Sequence, residues 1–285
     1  MKNFFIKLKN ILNNNGNKLT KISIITPVLN GEKTLQKTID SVLDQNFKNL
    51  EYIIVDGLST DKTHEIIKLN KEHISKTIIE KDQGIYDAMN KGIKAAKGEL
   101  IGIINSDDYY NHEAFNLVLK KYELSSTKNI IIYGDMHNQY EKIKVLSKGD
   151  LTDHAFKIGK FEINHPTVFV SKSLYKTIGN FDIRYHTGSD RDFLLRAHKN
   201  NARFLKIDKS LATFRLGGFT SSYTFKLMID RTKEEFHILK KYYSKWYALR
   251  KSLEKLYRML RNNIFYFIFG YENFLKARIK WLDGK

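Results

Sequence analysis

The chain of 285 residues contains no cysteine, which excludes disulfides and thiolate metal sites and fits a reducing compartment. It lacks any apolar run approaching the ~18 residues that a spanning helix needs. The longest candidate, Ile264 to Phe269, is far too short. No secretory signal is visible, because the apolar residues of the basic stretch Met1 to Leu19 are interrupted by Lys and Asn. A soluble or peripheral protein is therefore expected. Two phosphate-cradling patterns, GxGxxG and GxxxxGK[ST], are also missing, which argues against dinucleotide binding and P-loop chemistry. No internal repeat occurs at solenoid periods.

What is present is a core's worth of apolar residues, 42%, and a net charge of +18 that is unevenly spread. Residues 1–21 carry five lysines and no acids, and residues 226–285 carry fifteen Lys and Arg against six Asp and Glu. That leaves an excess of only four positive charges for residues 22–225. Basicity belongs to the two ends, where it can meet anionic lipid or nucleic acid. Three segments follow: a basic N-terminal stretch and Asn-rich linker over 1–20, a main domain over 21–224, and a basic helical tail over 225–285. In the tail, Leu239, Tyr242, Tyr243, Trp246, Leu253, Leu256, Tyr257 and Leu260 keep three-four spacing.

Within the main domain, short apolar runs alternate with helical patterns. Strands are expected at 21–26 (broken by Pro27), 51–56, 77–80, 100–104, 129–135, 166–170, 202–208 and 211–215. Helices are expected at about 32–44, from Ser59 or Thr60 as N-cap through Asn70, from Gly84 towards Gly98, and at 114–124, 174–178 and 189–200. A stretch around Ile143 and Val145 reads as a hairpin strand. Strands alternating with helices indicate an α/β fold with a mostly parallel, doubly wound sheet.

Acids recur where apolar strands end. Leu100 to Ile104 reads as a buried strand closed by Asn105-Ser106-Asp107-Asp108, and Asp56 and Asp135 each close another run, with Asp82 in a turn after a third. Open α/β sheets bind ligands at the carboxyl ends of their strands. Adjacent carboxylates there suit a hard divalent cation such as Mg²⁺ or Mn²⁺, which takes few ligands from protein and the rest from phosphate and water. The competing reading is that Asp107 and Asp108 cap a helix starting near His112. Asp135 also reads as a turn residue. His64, His73, His112, His137, His154 and His198 lack metal-like spacing and read as solvated surface.

Four segments carry a resemblance. Thr26-Pro27-Val28-Leu29-Asn30, Val55-Asp56-Gly57-Leu58-Ser59-Thr60-Asp61, Asp82 through Gly92 and Asn105-Ser106-Asp107-Asp108 occur in one order at familiar spacing. Together they resemble family 2 of the inverting nucleotide-sugar glycosyltransferases over about residues 21–220. The sub-pattern of Asp56-Gly57-Leu58-Ser59-Thr60-Asp61 with Gly84-Ile85-Tyr86-Asp87-Ala88-Met89-Asn90 is similar to that of bacterial enzymes that build O-antigen, capsule or other surface polysaccharide. The resemblance implies the GT-A fold, a Rossmann-like, mostly parallel sheet flanked by helices, here with a basic helical appendage.

It also implies roles. Thr26, Pro27 and Asn30 would flank the nucleotide, Asp56 and Asp82 would hold the base, and Asp107 would lie near the ribose or sugar. Asp108 would bind Mn²⁺ or Mg²⁺ bridging the diphosphate. Gly188-Ser189-Asp190-Arg191-Asp192 resembles the family's catalytic helix start, with Ser189 where Glu is frequent. The base is then Asp190, with Asp192 as the alternative. Asn164-His165-Pro166 matches a recurrent histidine segment near the acceptor, and Leu216 to Phe219 falls where many relatives have a histidine metal ligand. The bland readings are an N-cap for Asp190 and a structural histidine for His165.

An inverting transfer needs one carboxylate to take the acceptor's proton and a cation to absorb the leaving diphosphate's charge. The implied donor is a nucleotide-sugar, best a UDP-sugar, and the acceptor a lipid-linked or saccharide hydroxyl. Aromatic and basic residues in the tail suit an anionic membrane surface on the cytoplasmic side. The opposing reading packs that face on the domain or on another copy as a homo-oligomer. Nucleic acid is not expected, since no recognition module appears. Two alternatives remain: a sugar-nucleotide pyrophosphorylase, whose glycine-rich basic signature Thr26 to Lys33 lacks, and a non-enzymatic adaptor using the basic ends.

Overall fold

A computed structural model describes residues 22–125, 127–216 and 225–283. The N-terminal segment 1–20 and the Gly217 to Phe219 position expected to replace a histidine ligand lie outside the described residues.

The first half alternates strictly: β1 (Ile22–Val28), α1 (Leu35–Leu43), β2 (Leu50–Asp56), α2 (Thr63–Leu69), β3 (Lys76–Ile79), α3 (Ile85–Ala95) and β4 (Leu100–Ile103). There follow β5 (Tyr109–Tyr110), α4 (Ala114–Glu123), β6 (Ile130–Tyr140), β7 (Ile143–Ser147), α5 (Asp153–Lys157), β8 (Phe169–Ser171), α6 (Lys172–Ile178), α7 (Ser189–Lys199) and β9 (Arg203–Arg215). Two helices close the described chain, α8 (Phe225–Leu239) and α9 (Lys245–Asp283), the latter kinked at Gly270.

All these strands join one sheet in the order β3-β2-β1-β4-β8-β6-β9-β5, with β7 added to β6. β3, β2, β1 and β4 are parallel; β8 runs against both β4 and β6, and β6 pairs β9 in parallel. The strand order reverses at β1, with β2 on one side and β4 on the other, so the crevice between β1 and β4 is the switch point where such sheets take ligands.

The β1 strand is buried on both faces, which explains its unbroken apolar run. Ile22 and Ile24 pack with Leu35, Ile39 and Phe115 on one side, and Ile25 packs with Met89 and Ile93 on the other. Truncating such a side chain to Ala costs about 2–5 kcal/mol.

Several elements differ from expectation for physical reasons. Pro27 lies inside β1 rather than ending it. The Ile25 carbonyl faces β4 and accepts from the Ile104 N–H, so Pro27 faces the same way, past the end of the β4 pairing, and has no ladder bond to lose. The two late strands are one, β9, whose irregularity at Gly134 and Asp135 of the paired strand absorbs the break. Asp135 therefore sits within β6, not in a turn. His165 to Thr167 form a 3-10 turn, so the strand expected there shortens to β8.

Candidate active site

The loop after β1 and the loop after β2 are laced together. Asn30 adopts φ 55°, which aims its N–H at Ser59 Oγ (2.8 Å) and its Oδ1 at the Thr60 N–H (2.9 Å). The Gly31 N–H reaches Thr63 Oγ1 at 2.8 Å, and the Glu32 N–H reaches Asp61 at 2.9 Å. Asp56, fully buried at the end of β2, accepts from the Ser59 N–H (3.0 Å) and Ser59 Oγ (2.5 Å), while its Oδ2 contacts His64 Nε2. Ser59 is thus spent on Asp56 instead of capping α2, which begins four residues later. Asp82 accepts from the Gly84 N–H (2.9 Å), and its Oδ2 packs directly on Gly57, in the space a Cβ there would take. Asn30, Asp56 and Asp82 therefore gather at one sheet edge, as expected. Thr26 does not turn outward; it is buried and bonded to Tyr52 at 3.1 Å.

At the end of β4 the two acids differ. Asp107 is partly exposed, and burial lifts its carboxyl above the usual range. Asp108 is wholly buried. Its Oδ1 accepts from the Arg215 N–H at 3.0 Å, and Oδ2 has no partner in hydrogen-bond geometry. Burial first, then the charge of Asp107, pushes the Asp108 carboxyl well up, and the Arg215 N–H and Asn105 amide oppose this only in part. Neither acid caps a helix, because β5 intervenes and α4 starts at Ala114. Among the described residues no three His, Cys, Asp or Glu gather into a metal cage. The donor set still fits one hard cation, which takes oxygen ligands: a partly exposed Asp107 carboxylate, an unpartnered oxygen on Asp108 and an unpartnered Asn105 Oδ1.

The third acid stands on α7. Its N-cap is Gly188, where a Cβ would meet Ile238 of α8 at 2.7 Å, and Glu234 of α8 accepts from the His186 N–H (2.7 Å) and Thr187 N–H (3.0 Å). The α8 helix thereby holds the loop that presents Asp190. Asp190 does not cap α7. Its Oδ1 accepts from the Arg191 N–H (2.7 Å) and from Tyr86 Oη of α3 (3.2 Å), and among the described residues its Oδ2 takes no hydrogen bond. Burial, then the neighbouring Asp190 charge, pushes the Tyr86 phenol well up and keeps it a donor. Asp190 and His165 line one small cavity with Ile103, Tyr175, Phe181 and Phe193. His165 Nε2 is enclosed without a partner; burial pulls the imidazole down, with Asp190 opposing.

Asp192, the alternative base, has both carboxylate oxygens engaged. It is 1% exposed, its Oδ2 accepts from Arg196 (2.9 Å), and its Oδ1 accepts from Lys241 (3.0 Å) and Tyr242 (3.2 Å). It ties α7 to the turn before α9.

Four residues escaped the sequence reading: His64, Tyr86, Glu234 and Arg215. His64 lies eight residues after Asp56, as the second residue of α2, a spacing that could have paired them. Tyr86, within the Gly84 to Gly92 segment, had no visible partner because Asp190 is 104 residues away.

Residues 23–179 match the family model described as Glycosyl transferase family 2. A PGL/p-HBAD biosynthesis glycosyltransferase of Mycobacterium bovis (strain BCG / Pasteur 1173P2) is 32% identical over 188 residues, covering 63% of this chain and 70% of the relative. An uncharacterized glycosyltransferase of Rickettsia felis is 30% identical over 214 residues, covering 72% of this chain and 34% of its own longer sequence. In fold, the chain is similar to S. aureus TarS 1-349 crystallised in complex with UDP-GlcNAc, with a TM-score of 0.64 and 20% identity over 92% of this chain and 83% of that one.

Proposed function

This chain belongs to glycosyl transferase family 2, and from that membership we propose a metal-dependent, inverting transfer of a sugar from a UDP-sugar to a lipid-linked or saccharide hydroxyl during surface polysaccharide synthesis. Membership sets aside the pyrophosphorylase and adaptor alternatives. The UDP-sugar choice draws support from TarS, whose structure holds UDP-GlcNAc. The glycolipid direction draws support from the mycobacterial relative named for PGL/p-HBAD biosynthesis. Work at the cytoplasmic face of the membrane, as a peripheral protein, accords with such an acceptor; no helix among the described residues is long and apolar enough to cross a bilayer.

The observation that carries the mechanism is the contrast between Asp190, which lines a cavity and whose Oδ2 takes no hydrogen bond among the described residues, and Asp192, with both oxygens consumed. In one displacement, the acceptor oxygen bonds to the anomeric carbon, the bond from that carbon to the diphosphate breaks, and the hydroxyl proton passes to Asp190 Oδ2. Tyr86 donates to Oδ1 and holds the carboxylate's orientation. Asp56, oriented by Ser59 and His64, and Asp82 flank the base, with Asn30 shaping the loop above it. Mn²⁺ or Mg²⁺ would be held by Asp107, the accessible acid, with Asp108 buried behind it, and would supply Lewis-acid stabilisation of the departing diphosphate. That ordering moves to Asp107 the metal role expected of Asp108, because Asp108 has no exposed surface.

The test is nucleoside diphosphate release from a panel of sugar nucleotides with Mn²⁺, with and without EDTA. Turnover confined to UDP-sugars and abolished by EDTA is expected. Turnover unaffected by chelation sinks the metal, and turnover with no UDP-sugar sinks the donor.

A further inference from the structure

The tail, expected either to meet a membrane or to pack on the domain, packs one face of α9 on the domain and leaves the opposite face exposed. One face of α9 is committed. Ala248, Ser252 and Met259 are buried, and the helix is anchored where Tyr247 Oη donates to the Ile158 carbonyl at 3.1 Å. Just before α9, Tyr243 Oη donates to the Phe156 carbonyl at 2.5 Å. The other face is not covered. Trp246, Leu253, Tyr257, Ile264 and Phe267 recur at helical spacing on that side and are between 54% and 89% exposed. From Trp246 to Phe267 they form a stripe ~32 Å long at 1.5 Å per residue. Contiguous exposed apolar stripes of this size mark interaction surfaces, not ordinary solvated faces.

Charge selects the occupant. Exposed Arg250, Arg258 and Arg261 run along one border of the stripe, and residues 226–285 carry fifteen basic side chains against six acidic ones. A second copy would bring the same positive charge to the contact. An anionic bilayer brings the opposite charge, and its headgroup boundary accepts Trp and Tyr beside Leu, Ile and Phe while arginines reach phosphate.

We propose that the outward stripe of α9 lies in the interfacial plane of an anionic membrane, with the packed face holding the catalytic domain against that surface. Its use, bringing the domain to a lipid-linked acceptor, rests on the proposed function; binding to lipid does not require turnover. The docked helix α9 packs against α8, and α8 holds the Asp190 loop through Glu234, so docking and the Asp190 loop are joined through one helix pair.

The full chain is to be sedimented with vesicles of equal parts phosphatidylcholine and phosphatidylglycerol, and with phosphatidylcholine alone. Expected are binding to the anionic vesicles, a blue shift in emission that Trp246→Phe removes, and loss of at least ~tenfold in affinity for Leu253→Glu with Ile264→Glu, as burial of an apolar helix face implies. Arg258→Gln with Arg261→Gln should narrow the preference for anionic over neutral vesicles. UDP-sugar hydrolysis without lipid, measured in parallel, should be the same in the stripe variant and the parent, which separates failure of docking from failure of catalysis. Equal binding of parent and stripe variant, or no vesicle binding at all, overturns the proposal. So does a dimer in sedimentation velocity that the glutamates dissolve in the absence of any lipid binding.

Discussion

The two sides of the crevice are built differently. On the β1–β2 side every polar side chain is engaged: Asn30, Ser59, Thr60, Asp61, Thr63 and His64 bond one another or Asp56 across two loops. On the α7 side, among the described residues, Asp190 leaves an oxygen unengaged, His165 Nε2 has no partner, and apolar rings fill the surroundings. A satisfied network is rigid, which suits recognition of an invariant nucleotide. Unspent polar atoms cost stability and persist where they meet a substrate. Under the proposed function, the β1–β2 loops would pre-organise the nucleotide side and the α7 side would be held in readiness for the acceptor.

Substitutions can break that contrast. The largest expected effect is on stability. Asp192→Ala leaves Arg196 and Lys241 without their buried counter-charge and should cost about 3–5 kcal/mol in denaturant unfolding, while the folded fraction keeps its turnover; a variant as stable as the parent would return Asp192 to the list of candidate bases. Next comes Ser59→Ala, which removes hydrogen bonds from buried Asp56 and from the Asn30 loop. It should weaken donor binding by about 1–3 kcal/mol, read by calorimetry with UDP, with little change in kcat. Smaller still, Tyr86→Phe removes one donor from Asp190 and should lower kcat by about 0.5–1.5 kcal/mol in barrier terms, leaving donor affinity alone. A change in KM in place of kcat would assign Tyr86 to binding.

The smallest effect is a pH dependence. Burial holds His165 below its ordinary value of 6.5, with Asp190 opposing. The unfolded chain therefore takes up a proton near 6.5 that the folded chain refuses, so stability falls as pH drops below that value. Thermal unfolding of His165→Gln should lose less on going from neutral to mildly acidic buffer than the parent does. Equal losses would show that His165 stays protonated or exposed in the fold.

Local physics explains which features the sequence made readable. Alternation of apolar runs and helical patterns identified β1 to β4 and their helices, because both faces of those strands are buried and leave a continuous apolar signature. Acids at strand ends identified Asp56, Asp107 and Asp108 as neighbours of one crevice. Pairings across long separations were not readable. Nothing near Asp192 in the chain indicates that Lys241 and Tyr242 would take its oxygens, and nothing near Asp108 indicates the Arg215 N–H. Pro27 looked like a strand end because proline's missing donor matters only where a neighbour needs it, and β4 stops short of it. The histidines misled for a similar reason: lack of metal spacing says nothing about a carboxylate partner, as His64 with Asp56 shows.

The account stands on Asp190 receiving the acceptor's proton. The most direct test is the steady-state transfer rate of Asp190→Asn beside its UDP affinity and melting temperature. A fall of about 10²–10⁴ in kcat, with affinity and melting temperature held at parental values, is the predicted result. A variant that still transfers sugar at a rate close to the parent's would contradict it.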